Sequence, residues 1–154
     1  MISQDRPTIR RTDSSDPDFR ELVALLDAEL AERDGDEHPF YAQFNKIDLI
    51  RHAVVATVDG EAVGCGAYKP YEGDIVEIKR MFVRPRGRGK GIAVAVLDEL
   101  ERWAREEGYS SAVLETGFKQ PEAIRLYEKS GYVRIPNYGQ YAGVANSLCM
   151  RKDL

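Results

Sequence analysis

The segment VRPRGRGKGIAVA, from Val83 to Ala95, alternates three glycines with basic residues and then runs without a break into an apolar helical pattern. Loop and helix start therefore form one unit. Gly87, Gly89 and Gly91 lack a Cβ, so the backbone there can take positive φ and turn successive N–H groups toward one point, making a concave anion site. A helix beginning near Ile92 adds N–H groups without intrahelical acceptors and roughly half a positive charge from its dipole. A diphosphate would satisfy both. Arg84, Arg86, Arg88 and Lys90 supply cationic side chains, and hydrogen bonds to charged groups contribute about 1.5–3 kcal/mol each. A basic glycine-rich run is also the composition of a disordered nucleic-acid-binding tail. Its position argues against that reading, because the β-rich segment IVEIKRMFV precedes it and a long amphipathic helix pattern follows.

The rest of the composition bounds the partners. A chain of 154 residues is expected to form one domain, 1–154, with a core large enough to need no staples. Apolar content of 43% and charged content of 31% are ordinary for a soluble globular protein. The N-terminus MISQDRPTIRR has no apolar signal-peptide core, and no uninterrupted apolar run reaches membrane-spanning length, so a cytoplasmic location is expected. Net charge is −4 but unevenly placed: Asp13 to Glu37 holds ten acidic residues against two basic, while Lys79 to Lys90 holds six basic and none acidic. That pattern favours a focused anionic ligand at one loop over a polyanion such as a nucleic acid or a membrane surface. The acidic segment also hints at a cationic acceptor, although a charge run is usually a solvated helix face. Cys65 and Cys149 lie in separate expected strands without metal-ligand spacing and read as reduced core residues, with no metal site expected. A nucleophilic Cys65 is conceivable from the open backbone of GCG, but neither His38 nor His52 is near it in sequence.

In chain order, Thr8–Thr12 reads as a short strand. Pro17 opens a helix capped by Asp16, with Phe19, Leu22, Val23, Leu26 and Leu30 at helical spacing and Gly35 as its stop. His38 to Ile50 mixes periodicities and reads as a second short helix or an ordered loop. Ala53–Val58, the turn Asp59-Gly60 and Ala62–Tyr68 form a hairpin. A further turn over Pro70–Asp74 leads to a strand from Ile75 to Val83. Ile92–Glu107 is a helix with Ile92, Val96, Leu97, Leu100, Trp103 and Ala104 on its apolar side, stopped by Gly108. The strand Ser111–Thr116 follows, so 75–116 makes a crossover unit with parallel strands. A helix over Glu122–Ser130 ends at Gly131, and Tyr132–Ile135 and Ser147–Arg151 close the chain as strands.

This order of elements, with two motifs, resembles the GCN5-related N-acetyltransferase (GNAT) family, which binds acetyl-coenzyme A. The family pattern of a basic or glutamine residue, two residues, glycine, one residue, then glycine or alanine is filled by Arg88, Gly91 and Ala93 in RGKGIA. A second family segment is present as Gln120, Ala123, Leu126-Tyr127 and Gly131-Tyr132, with Gln120 where asparagine is commoner. The resemblance runs from about residue 8 to the C-terminus. It implies an α/β (α+β) fold: a mixed, mostly antiparallel sheet of six to seven strands with a central parallel pair, flanked by about four helices. It also implies the activity, acetyl transfer from acetyl-coenzyme A to a primary amine of a small molecule or peptide by direct attack in a ternary complex, in a possible homodimer.

The same resemblance places the cofactor. Its pyrophosphate is expected on the backbone of Arg88, Gly89, Lys90, Gly91, Ile92 and Ala93, its pantetheine arm along Met81, Phe82 and Val83, and a further contact at Gln120. Amine acetylation needs an oriented donor, a neutral amine and a donor group for the developing oxyanion, the last from a strand N–H near Phe82. Glu77 is the candidate base, at the place of the glutamate in the histone-acetyltransferase branch. Its other reading is a strand glutamate paired with Lys79 or Arg80. Tyr127 is the candidate acid for the departing thiolate, against a packed aromatic on a helix that buries Ile124 and Leu126. Tyr138, Tyr141, Phe40, Tyr41 and Phe44 are expected around the acceptor, or as ordinary core. His38 and His52 without partner motifs read as surface or capping groups. A rival to the enzyme is a non-catalytic coenzyme A sensor or scaffold.

Overall fold

The computed structural model describes residues 6–34, 49–117 and 120–154. In chain order the elements are β1 (Thr8–Thr12), α1 (Pro17–Asp34), β2 (His52–Val58), β3 (Glu61–Glu72), β4 (Ile75–Val83), α2 (Ile92–Glu106), β5 (Ser111–Gly117), α3 (Pro121–Lys129), β6 (Val133–Ile135) and β7 (Ser147–Asp153). The strands make one seven-stranded sheet in the order β1-β2-β3-β4-β5-β7-β6. Only β4 and β5 run parallel; every other pair is antiparallel. This is the mixed sheet with a central parallel pair that the sequence implies. Three α-helices lie among the described residues. The fourth, expected over 38–50, falls outside them except for Leu49 and Ile50, which belong to no helix or strand. No helix among the described residues is long and apolar enough to cross a membrane.

Local chemistry accounts for the boundaries. Asp16 Oδ1 accepts the N–H groups of Asp18 at 2.8 Å and Phe19 at 3.1 Å, capping α1 as its position before Pro17 predicts. Asp59 and Gly60 both take positive φ, 51° and 82°, giving the two-residue turn that matches strand twist. The turn expected over Pro70–Asp74 is shorter: β3 continues through Pro70 to Glu72, and the chain reverses at Gly73, φ 55°. Proline is tolerated because β2 pairs with β3 only as far as His52–Tyr68, so Pro70 has a ladder partner on one side alone.

The sheet is covered on both faces. On one, Val96, Leu97 and Leu100 of α2 pack on Val54, Ala56, Val76 and Ile78. The helix lies close because β3 offers glycine beneath it; a Cβ at Gly66 would stand 2.5 Å from Met81 Sδ and 2.9 Å from Leu100 Cδ1. On the other face, Phe19, Leu22 and Val23 of α1 meet Ala53, Val55, Cys65 and Phe82. The unequal charge of the sequence becomes pairing between α1 and the β4 region: Arg80 with Asp27 at 3.5 Å, Arg84 with Glu21 at 3.6 Å and Arg88 with Glu29 at 2.6 Å. Part of the acidic helix is therefore committed to the fold rather than to a cationic ligand.

Two irregularities open the sheet. The parallel ladder holds only at Ile75–Ser111, Val76–Ala112 and Glu77–Val113, after which β4 and β5 separate. In the same strand a bulge sets Arg80 and Met81 against Gly66, between the pairs Cys65–Phe82 and Ala67–Lys79. Arg80 takes φ 62° there, a left-handed conformation uncommon for a residue with a side chain.

Candidate active site

Where β4 and β5 part, α3 enters from the far side and the gap becomes a cleft. Its larger part, about 510 Å³, runs from Met81, Phe82 and Val83 across the glycine loop to α3. Its smaller part reaches Glu77, Lys79, Glu115 and Tyr141 on the α1 face. Leu26, Met81, Gln120, Ala123 and Tyr127 line both, so the two hollows adjoin across these residues, the waist of the cleft.

The glycine loop has the geometry its sequence predicts, with one division of labour. Gly89 and Gly91 both take φ 79°, and a Cβ on either would meet no heavy atom within 4 Å: the conformation demands glycine and the space beside it is open. Gly87 is buried and its φ is not left-handed; a Cβ there would stand 3.1 Å from Val83 Cγ1 and 3.3 Å from Ile92 Cδ1. Gly91 is the N-cap of α2, whose first bond runs from Ala95 N–H to Gly91 O at 3.0 Å, leaving the N–H groups of Ile92, Ala93 and Val94 ahead of it. The loop arginines face protein as well as solvent. Arg84 Nε donates to Ala62 O, Arg86 pairs with Glu61, and Arg88 donates from Nε to Val83 O at 2.9 Å while lying 5.7 Å over the Phe82 ring. Arg88 thus braces the loop between β4 and Glu29 of α1. Of the expected cofactor residues, Lys90 is exposed and does not line the cleft, whereas Gln120 lines both parts at the N-cap of α3.

The candidate base and the late loop meet across 61 residues, a contact not expected from the sequence: Tyr138 O–H donates to Glu77 Oε2 at 2.6 Å. Tyr138 packs edge-on against Tyr71 and Tyr141, with centroids 5.0 and 5.8 Å apart, and of the three rings Tyr141 lines the smaller part of the cleft. Burial, with the Glu77 charge and hydrogen bond added, pushes Tyr138 far above the ordinary phenol range and keeps it a donor. Glu77 also lies 3.8 Å from Lys79 Nζ, while Arg80 turns instead to Asp27. Alternation along β4 puts Glu77 and Lys79 on one face. Burial lowers the Lys79 pKa, and Glu77 opposes that.

Tyr127 is the one buried residue of α3; Ile124 and Leu126, expected to share that burial, are partly exposed. Its ring meets Tyr132 edge-on at 5.8 Å, and burial raises its pKa well above the ordinary value, so the hydroxyl keeps its proton. Phe40, Tyr41, Phe44 and His38 lie outside the described residues. His52 stacks on Tyr68 at 4.5 Å near the end of α2 and does not line the cleft. Burial pushes the Cys65 thiol up to about 12 and Cys149 to about 11, and Cys65 Sγ donates to Arg80 O, so both remain thiols in the core. Among the described residues no cluster of His, Cys, Asp or Glu could hold a metal ion.

Sequence reading did not reach three features. Glu101 is buried in α2, held by Tyr132 O–H at 3.0 Å and Lys152 Nζ at 2.8 Å; its position on the apolar side of the helix is the available signal. The α1–arginine pairs needed the tertiary structure. The bulge at Arg80 leaves no mark in sequence, since arginine is not a residue favoured at positive φ.

The parallel pair thus splays beside a left-handed glycine loop and a helix N-terminus. Residues 17–132 match the Acetyltransferase (GNAT) family, and the chain belongs to it. An IAA acetyltransferase of Azospirillum brasilense is 42% identical over 102 residues, covering 66% of this chain and 67% of that protein. The N-acetylaspartate synthetase of Homo sapiens is 42% identical over 100 residues, 63% of this chain but 33% of that protein. In two further curated relatives the match spans 58% and 50% of their length. A structure from Klebsiella pneumoniae assigned as an acyl-CoA N-acyltransferase superposes with a TM-score of 0.82 at 32% identity, over 98% of this chain and 99% of that one.

Proposed function

We propose that the chain is an acetyl-coenzyme A-dependent N-acetyltransferase that acetylates a primary amine of a small molecule or peptide in a ternary complex. The observation that carries this reading is the cleft between β4 and α3, whose two adjoining hollows reach the open glycine loop at one end and Glu77 at the other. The residues fit the cofactor: Gly89 and Gly91 leave space for a pyrophosphate against the free N–H groups of α2, and the edge of β4 from Met81 to Val83 offers backbone to an extended arm. Acetyl-coenzyme A supplies an activated thioester. Glu77 takes the proton that leaves the acceptor ammonium, with Tyr138 fixing its carboxylate, and passes it to water. The bulge at Arg80–Met81 frees backbone N–H from the ladder where an oxyanion donor is needed. With acetyl-coenzyme A bound, Tyr127 would hold a proton for the departing sulfur and would regain it from the second proton that the acylated nitrogen loses. The name of the human relative, N-acetylaspartate synthetase, is in keeping with an amine acceptor.

The test is ligand-dependent melting. Acetyl-coenzyme A at about 100 times its Kd stabilises by about 2.7 kcal/mol, which raises Tm by roughly 5–10 °C in a domain of this size. NAD and ATP leave Tm in place. No shift with millimolar acetyl-coenzyme A removes the reading.

A further inference from the structure

The acceptor end of the cleft holds charges of both signs side by side. Glu77 is the proposed base, yet three cations gather round it on the same face of the sheet. Lys79 follows it by two positions in β4, with its ammonium 3.8 Å from Glu77 Oε1, beyond hydrogen-bond reach. Lys69 is its cross-strand partner in β3. Arg80 lines the same hollow, its side chain 2% exposed and 3.5 Å from Asp27. Glu115 is the other carboxylate lining that hollow. Lys79 has a side chain only 12% exposed, and desolvation penalises its charge with incomplete relief from Glu77. A positively charged acceptor with no anion of its own would compete with Lys79 for Glu77. An acceptor carrying its own anion would bring Lys79 a carboxylate within hydrogen-bond reach, which Glu77 at 3.8 Å does not.

We infer that the acceptor is a free α-amino acid, its amino group received by Glu77 and its carboxylate by Lys79. The 3.8 Å between the two side-chain charges suits a substrate that carries amine and carboxylate on one carbon. Tyr141 lines the same hollow, with Tyr138 packed behind it and bonded to Glu77. The inference rests on the acetyl-transfer reading and narrows its acceptor. Lys79 is here a specificity residue, and Arg80, held by Asp27, is its support. The chemistry balances: the ammonium gives one proton to Glu77, the nitrogen gains the acetyl group and loses a second proton that Tyr127 relays to the coenzyme A sulfur, coenzyme A leaves as the thiol, and the carboxylate is unchanged.

The experiment measures thiol release from acetyl-coenzyme A with a panel of free L-amino acids, the matching α-carboxamides and the matching decarboxylated amines. With the unaltered protein, at least one free amino acid is turned over with kcat/KM at least about tenfold above its amide and its amine, the scale of one charge-assisted contact. Lys79→Met reduces that acid-to-amide ratio at least about tenfold, and Lys79→Arg restores part of it. Amides or amines turned over as well as the acids overturn the inference without any variant, and so does a Lys79→Met protein with an unchanged ratio. Amine-dependent thiol release confined to carboxylate-free acceptors refutes the amino acid while leaving acetyl transfer standing. Absence of thiol release together with no thermal shift by acetyl-coenzyme A refutes both.

Discussion

Replacing Gly91 by alanine separates what the loop needs in order to fold from what it needs in order to bind. Gly91 holds φ 79° and ψ 9°, and a Cβ built there finds no heavy atom within 4 Å. The free protein therefore bears only the left-handed strain, about 1–2 kcal/mol, and Tm falls by roughly 2–8 °C. The bound state loses more, because relaxing that strain re-aims the N–H groups at the start of α2 and the new methyl occupies the open side of the cradle. One lost hydrogen bond to a phosphate oxygen, about 1.5–3 kcal/mol, weakens coenzyme A on the order of 10- to 100-fold. Gly87→Ala is the matched control. Its Cβ presses on Val83 Cγ1 at 3.1 Å and Ile92 Cδ1 at 3.3 Å without a left-handed φ, so stability falls while affinity changes far less. Calorimetric titration of coenzyme A into both variants, with Tm measured alongside, decides. Gly91→Ala binding coenzyme A within about twofold of the unaltered protein, with the expected fall in Tm, would refute the phosphate role of the loop.

Tyr127→Phe removes a buried hydroxyl that lines the waist of the cleft. Turnover drops by about 10²–10⁴-fold with the Kd for coenzyme A little changed; full turnover, with chemistry shown to be rate-limiting, makes the tyrosine structural. Glu77→Gln flattens the acid limb of the kcat/KM profile, and an unaltered limb assigns the base elsewhere. Asp16 is held near a pKa of about 2 by its Arg10 hydrogen bond, despite opposing desolvation, with the Phe19 N–H and Thr12 hydroxyl adding to it. A depressed folded pKa stabilises above the unfolded value and is lost as pH falls through the folded one, so Asp16→Ala costs about 2 kcal/mol at neutral pH. In denaturant titrations the gap to the unaltered protein closes between about pH 4 and pH 2; a gap independent of pH refutes that origin.

The loop and the order of elements were legible because short-range chemistry sets them. Three glycines before an apolar helix, Asp16-Pro17 and Asp59-Gly60 each act within a few residues, and each stands where it was expected. Pro70 misled because proline reads as a turn signal, and only the early end of β2 beside β3 makes its place in a strand acceptable. The site was legible in identity more than in arrangement. Glu77 could be chosen from its strand, but its contact with Tyr138 joins residues 61 apart and depends on the β6–β7 connection reaching back over the sheet. Lys79 could be named from the sequence as one of two possible partners of Glu77, and only the structure chooses it over Arg80. Strand alternation turns it to the face of Glu77, while the bulge at Arg80 reverses the alternation before Phe82. The arginines showed the same limit: sequence counted their charges, and only packing revealed that Glu21, Asp27 and Glu29 meet three of them.

The most direct measurement is the release of free coenzyme A thiol from acetyl-coenzyme A by the purified protein, with and without an amine acceptor, and mass detection of the N-acetylated product. The account predicts release that depends on the amine, saturates with it and yields its amide in equal amount. Tight binding of acetyl-coenzyme A with no amine-dependent release from any amino acid, amide or amine offered would contradict it, and would leave a coenzyme A-binding module in place of an enzyme.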